Sequence, residues 1–201
     1  MSLDDLISRS RVWRGSGARA VPRGLATGFD ALDAYLPGGG WPQGAITEVF
    51  LERYGIGELS LFMPALARLS QGERWIVWVD PPFIPYAPAL TRSGVDLNRV
   101  LLVHSSTVKQ ESLWAVEQAL RSKSSVATLA WLKLSDDRDL RRLQLAAEER
   151  ACWSILFRPL AAMRHRSPAA LRIKLSGDSQ NIRIEIIKCR GKRPGSVALA
   201  R

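Results

Sequence analysis

The sequence predicts an α/β domain: a mostly parallel, twisted sheet flanked by helices and finished by an antiparallel β-hairpin. Three observations predict it. Through the middle of the chain, short apolar and β-branched runs alternate with helical patterns. Those runs are almost uninterrupted in their hydrophobicity, which suits strands buried on both faces of a parallel sheet. Beyond residue 168 the period changes to strict alternation in two segments around a polar turn, as expected of strands with one wet face.

The length of 201 residues suits one such domain, and 46% hydrophobic against 24% charged residues is enough for a real core. No apolar run reaches the eighteen residues of a membrane span, and MSLDDLISRSRVWRG has no apolar signal region. The two cysteines, Cys152 and Cys189, have no metal-type spacing with histidine. A reduced, cytoplasmic, metal-free protein without cofactor is the expectation.

Taken in order, residues 1–24 read as a basic arm. Arg9, Arg11, Arg14, Arg19 and Arg23 have no acid between them, and Val12 and Trp13 are the natural anchor. FDALDAYL at 29–36 sets Phe29, Leu32 and Leu36 on one helical face, and Gly38 to Gly44 make a turn-rich connection. Strands are expected at 46–51 (ITEVFL), 75–79 (WIVWV), 100–104 (VLLVH), 126–132 (VATLAWL) and 153–157 (WSILF). Helices are expected around 60–70, 86–93, 110–122 and 138–151. The last is the clearest, with Ser135, Asp136 and Asp137 as an acidic first turn and Leu140, Leu143, Ala147 and Ala151 along one face. Such a βαβα succession implies an open sheet with helices on its faces. LRIKL (171–175) and IRIEIIK (182–188) form the hairpin, and SVALA near the end is a short last strand. The expected organisation is an arm over 1–24, a domain over 25–188 and a basic tail over 189–201.

The charge is uneven. Of the net +10, nearly all lies from Arg158 onward, where eleven bases face only Asp178 and Glu185. Such asymmetry suits an anionic partner, nucleic acid first among them, and equally suits a solvated basic face.

The first strand runs into Glu52-Arg53-Tyr54-Gly55-Ile56-Gly57-Glu58-Leu59 and then a helical segment, the place where a nucleotide site belongs in an α/β chain. A phosphate-binding loop reads G-x-x-x-x-G-K-[ST]. Here Gly57 supplies the second glycine, but Glu52 stands at the first, Glu58 at the lysine and Leu59 at the magnesium-holding hydroxyl. A unit-charge contact near 4 Å is worth about 4 kcal/mol at an effective dielectric of 20, so reversing its sign removes triphosphate binding. Pro64 disturbs the following helix start as well. The loop is then either a plain connection or a polar partner surface made by Glu52, Arg53, Tyr54 and Glu58.

LATGFDALDAYLPGGGWPQGAITEVF, and the order of segments to about residue 157, resembles the opening of the RecA ATPase core. That resemblance implies a RecA-like fold in which catalysis has been lost. Pro82 stands where such enzymes carry a water-activating glutamate, and Trp131, Leu132 and Lys133 where the strand-closing aspartate belongs. Val12-Trp13-Arg14-Gly15, Leu36-Pro37-Gly38-Gly39-Gly40-Trp41-Pro42, Gly55-Ile56-Gly57-Glu58-Leu59 and Phe157-Arg158-Pro159 resemble the ImuA family, which is related to the SulA division inhibitors. Membership of ImuA would imply a noncatalytic accessory role in SOS-induced translesion synthesis, in contact with ImuB and RecA and indirectly with an error-prone replicative-type polymerase. The alternatives are a SulA-like inhibitor binding FtsZ and, less favoured, a DNA-dependent ATPase.

Of the seven tryptophans, Trp75, Trp78, Trp114, Trp131 and Trp153 are expected in the core and Trp41 over the sheet end. Trp13, beside Arg14, is the partner candidate. In the tail, Lys188, Arg190, Lys192 and Arg193 are candidates for an acidic protein surface or nonspecific phosphate contacts; with no aromatic among them, base stacking is not their mode. His104, His165, Ser105 and Ser106 have no catalytic partners in the sequence, and Asp80 reads as a turn cap.

Overall fold

A computed structural model describes residues 22–105, 109–132, 136–177 and 181–200. The five helices among them are α1 (Asp30–Tyr35), α2 (Met63–Ser70), α3 (Ala87–Arg92), α4 (Lys109–Arg121) and α5 (Asp137–Arg150). The eight strands are β1 (Ala45–Leu51), β2 (Trp75–Val79), β3 (Val100–Val103), β4 (Ser125–Trp131), β5 (Trp153–Pro159), β6 (Leu171–Gly177), β7 (Asn181–Cys189) and β8 (Gly195–Ala200). They form one mixed sheet in the order β3-β2-β4-β5-β1-β6-β7-β8. The strands from β3 through β6 pair in parallel, and β7 and β8 are added antiparallel. No helix among the described residues is long and apolar enough to cross a membrane.

Burial explains why the apolar runs became strands. Every residue of β1 and β4 is buried, because each strand has neighbours on both sides and elements on both faces. On one face, Val49, Trp78, Leu129 and Phe157 pack beneath α1 and α2. An aromatic chain runs through this layer: Trp41, Phe62 and Trp153 lie within about 6 Å of one another, and Phe157 stacks on Trp131 at 4.6 Å. Trp41 is therefore core, as its place at the sheet end suggested. On the other face, Ile46, Val77, Ala130 and Leu156 meet Leu113, Val116 and Leu120 of α4 and Leu140, Leu143 and Ala147 of α5. The Asp136 carboxylate caps α5 by accepting from the Arg138 N–H at 2.8 Å.

Two tryptophans depart from expectation. Trp114 is 60% exposed and Trp75 38%. On α4 the sheet-facing row is Leu113, Val116 and Leu120, and position 114 lies one residue off that row, on the flank that carries Glu117 and Arg121. Trp75 begins β2, the strand next to the sheet edge, where cover is incomplete.

The antiparallel end is anchored to the body. Tyr35 donates its hydroxyl proton to the Arg193 carbonyl at 2.7 Å, and the Lys192 ammonium reaches the Ala34 carbonyl and lies 4.7 Å over the Tyr35 ring. At the other end, the chain at Leu25 bridges to Trp41. Gly38 permits this closeness: its φ is +75°, and a Cβ there would lie 2.3 Å from the Pro22 carbonyl oxygen.

Candidate partner-binding cleft at the carboxyl end of the sheet

In open α/β sheets, ligands and partners meet the loops at the carboxyl ends of the strands. Here the loop after β1, an interior strand, carries Glu52 and Arg53 outward, with Tyr54 half-buried. A cavity of about 390 Å³ opens between this loop and the end of β6, lined by Glu52, Arg53, Ile56, Lys174 and residues 175–177. Lys174 pairs loosely with Glu185 of β7, at 3.6 Å.

Glu58 is held by its own turn. Gly55 and Gly57 both have φ of +82°, a conformation L side chains rarely take, and this turn brings the Gly55 N–H to both oxygens of the Glu58 carboxylate at 3.1 Å. The carboxylate is buried. It accepts from the Gly55 N–H, and the turn is closed by the chain's own anion. Burial, and then the negative charge of Glu58, push the Tyr54 phenol above its ordinary pKa. Beyond the turn, the chain makes a 3-10 turn over Glu58–Leu61 before α2 begins, with Pro64 in its first turn; Leu59 packs toward the core.

Asp80, after β2, is a cap. Its backbone is left-handed (φ +50°), and its carboxylate accepts from the Ser105 N–H and hydroxyl, each at 2.7 Å. Burial works to raise its pKa, but the hydrogen bonds from Ser112 and Ser105 outweigh it and the net shift is downward. This ties the end of β2 to the end of β3. Pro82, Trp131 and Leu132 bring no carboxylate to the cleft; Lys133 lies outside the described residues. Among the described residues, no group of three or more histidine, cysteine or acidic side chains could hold a metal ion.

The remaining candidates are scattered. Trp13 and Arg14 lie outside the described residues. Lys188 is half-buried in β7 and donates to the Ser167 carbonyl at 2.8 Å; burial, then the nearby Arg172, lowers its pKa. Arg190 is exposed, its N–H on the Ala170 carbonyl. Lys192 and Arg193 sit against α1. These four lie at the β7–β8 end of the sheet, away from the Glu52–Glu58 loop.

One buried cluster was missed from sequence. Glu48 on β1 is fully buried and pairs with Arg158 of β5 and, at 2.8 Å, with Arg172 of β6. Arg172 also donates to the carbonyls of Met163 and His165 at 3.0 Å and lies 4.9 Å over the Phe50 ring. The signal was an acid inside ITEVFL, a run otherwise fit for burial.

A family model described as cell division inhibitor SulA matches residues 44–153, from the start of β1 to the start of β5. The SulA proteins of Yersinia pestis (strain Pestoides F) and Yersinia pseudotuberculosis serotype O:1b (strain IP 31758) are each 32% identical over 104 residues, which is 50% of this chain and 59% of the relative. The chain thus spans less than two thirds of these relatives' length. The crystal structure of SulA from Pseudomonas aeruginosa is 25% identical, with a TM-score of 0.46, covering 56% of this chain and 97% of that one.

These matches correct the functional expectation. The model that fits is that of a division inhibitor, so the translesion role, with ImuB, RecA and an error-prone polymerase as partners, is set aside along with the assignment to ImuA. The description of residues 52–59 as a decayed Walker A motif goes with it; the loop is a turn closed by Glu58.

Proposed function

Because the chain belongs to the SulA family of cell division inhibitors, we propose that it halts division by binding FtsZ and preventing its polymerisation, acting by contact and not by catalysis. The observation that carries this reading is the cleft at the carboxyl end of β1 and β6, which lies partly within the matched residues. It is lined by Arg53 and Lys174, with the half-buried Tyr54 next in the same loop, and that loop is closed by Glu58. Arginine and tyrosine are the residue types that most often dominate protein interfaces. A RecA-like core belongs to the same reading. It is supported by the glycine turn that follows β1 in the sheet interior and by the helical covering of both faces. The basic arm over 1–24 and the surface at Lys188, Arg190, Lys192 and Arg193 are proposed as secondary contacts, with DNA phosphates or an acidic protein face. Overexpression in a rod-shaped bacterium tests the function: filamentous growth supports it, and normal division at high expression refutes it.

A further inference from the structure

A second cavity, of about 730 Å³, opens at the amino ends of β1 and β6, the opposite end of the sheet from the cleft at Arg53 and Lys174. Its volume lies within the roughly 300–1,000 Å³ of small-molecule sites. Small residues make the room. Where the loop before β1, the end of α5 and the turn after β7 come together, the lining positions Gly40, Gly44, Ala45, Ala151, Ala170 and Gly191 carry nothing beyond Cβ. Backbone hydrogen bonds fix the walls: the Ala170 N–H donates to the Ile46 carbonyl at 3.1 Å, and the Arg190 N–H to the Ala170 carbonyl at 2.8 Å. Buried Leu36 and Leu171 and half-buried Pro37 and Pro42 complete an aliphatic lining that contains no aromatic ring. Two cations line it as well. Arg23 and Arg190 are both exposed, and neither guanidinium has a hydrogen-bond or ion-pair partner among the described residues. Glu148, the one acid of this lining, already accepts from the Gln144 Nε2 of its own helix at 2.8 Å.

We propose that this cavity is a binding site for a small aliphatic carboxylate, its hydrocarbon chain inside the lining and its head held at the mouth by Arg23 and Arg190. Charge complementarity selects the head. Unpaired guanidinium groups bind a carboxylate through charge-assisted hydrogen bonds, in a fork geometry that a neutral or cationic head cannot use. The lining selects the body. Leucine, proline and alanine offer an alkyl chain burial but give a flat ring no face to stack on. A nucleic-acid backbone would satisfy the two arginines and leave the aliphatic lining empty, so the cavity favours an amphiphile over a polyanion. The site also contains its own reporter. Cys189 lines it as a half-buried free thiol, whereas Cys152 is free and fully buried elsewhere.

The test is titration of the whole chain with hexanoate, octanoate and decanoate, read by calorimetry and by the rate at which N-ethylmaleimide labels Cys189. Decanoate should bind saturably and slow the labelling in proportion to occupancy. Affinity should rise about fourfold for each added methylene, as for burial of a CH₂ group. Arg190→Glu, at an exposed position, should weaken decanoate at least roughly tenfold, in line with loss of a hydrogen bond to a charged group. Ala170→Leu, which fills the lining, should do the same; circular dichroism verifies both folds, and Arg190→Glu decides alone if the leucine variant does not fold. Absence of saturable binding overturns the proposal, as does binding that leaves Cys189 open or is unchanged by Arg190→Glu. Decanol protecting Cys189 as well as decanoate does removes the role of the arginines and overturns it too. Protection by polyglutamate but not by decanoate would assign the mouth to an acidic protein and has the same effect. FtsZ takes no part in these measurements, so the reading of the cleft keeps its own test.

Discussion

Replacing Glu48 by alanine should be among the most damaging single changes in the protein. The carboxylate is fully buried and holds two guanidinium groups, Arg158 at 1% side-chain exposure and Arg172 at 9%. Removing one partner of a buried ion pair costs about 3–5 kcal/mol, because an uncompensated charge stays behind. Here two cations are left facing each other in the space Glu48 vacates, so the upper half of that range applies, about 4–5 kcal/mol. Total stability of an ordinary domain is about 5–15 kcal/mol, so the variant should fold only marginally. Urea titration followed by tryptophan fluorescence reads this directly, since Trp41, Trp78 and Trp153 are core reporters. With a urea slope of about 2 kcal/mol per molar, the midpoint should fall by about 2 M. Changing all three residues together, Glu48→Leu with Arg158→Met and Arg172→Met, should recover most of the loss, since buried ion triads are exchangeable for apolar packing. A midpoint shift below about 0.5 M for Glu48→Ala, equivalent to about 1 kcal/mol at that slope, would refute the argument that this cluster is electrostatically closed.

Other expectations follow from individual contacts. Asp80→Asn keeps a residue that tolerates positive φ and removes only the charge. The native pKa of Asp80 is depressed, so its contribution is complete above the ordinary carboxylate range and is lost as pH falls through the lower folded value. The variant should therefore lose about 1 kcal/mol at neutral pH and nothing at the acid end; an equal deficit at both ends contradicts this. Glu58→Ala frees the Gly55 N–H, whose hydrogen exchange should speed up roughly tenfold or more, as for loss of a charge-assisted bond; unchanged exchange would show that the carboxylate does not hold the turn. Trp153→Ala opens the aromatic layer between Trp41 and Phe62 and should cost about 3–5 kcal/mol by calorimetry or urea titration. A cost under about 1 kcal/mol would place Trp153 outside the cooperative core.

Much of the fold was legible because burial writes itself into composition. β1, β2, β4 and β5 lie between other strands and must be apolar on both faces, so ITEVFL, WIVWV, VATLAWL and WSILF stood out. β6 and β7 turn one face to water and alternate accordingly: Ile182, Ile184 and Ile186 point inward, Arg183 and Glu185 outward. Illegible was anything that depends on strand order. Glu48, Arg158 and Arg172 are more than a hundred residues apart in sequence at their extremes and meet only because β1 lies between β5 and β6. Trp114 was misjudged because a helix's buried face is narrower than its apolar content suggests. At the Glu52–Leu59 loop, sequence read Glu58 as the acid of a decayed phosphate loop, a reading the matches set aside. It did not reveal that Glu58 is bound to its own turn, a contact that requires the left-handed glycines. The partner expectation failed for a different reason: of the short motifs that resemble ImuA, those at 36–42, 55–59 and 157–159 are positions of turn and strand formation, and such positions report architecture before they report a partner.

Whether this chain stops FtsZ from assembling, as proposed, is read out by light scattering of purified FtsZ with GTP as the chain is titrated in. Loss of polymer as the chain approaches equal concentration, with inhibition weakened at least about thirtyfold by Arg53→Ala combined with Tyr54→Ala, as for loss of one interface hot spot of about 2 kcal/mol, is the predicted result. Undiminished polymer at a severalfold excess of chain would contradict it.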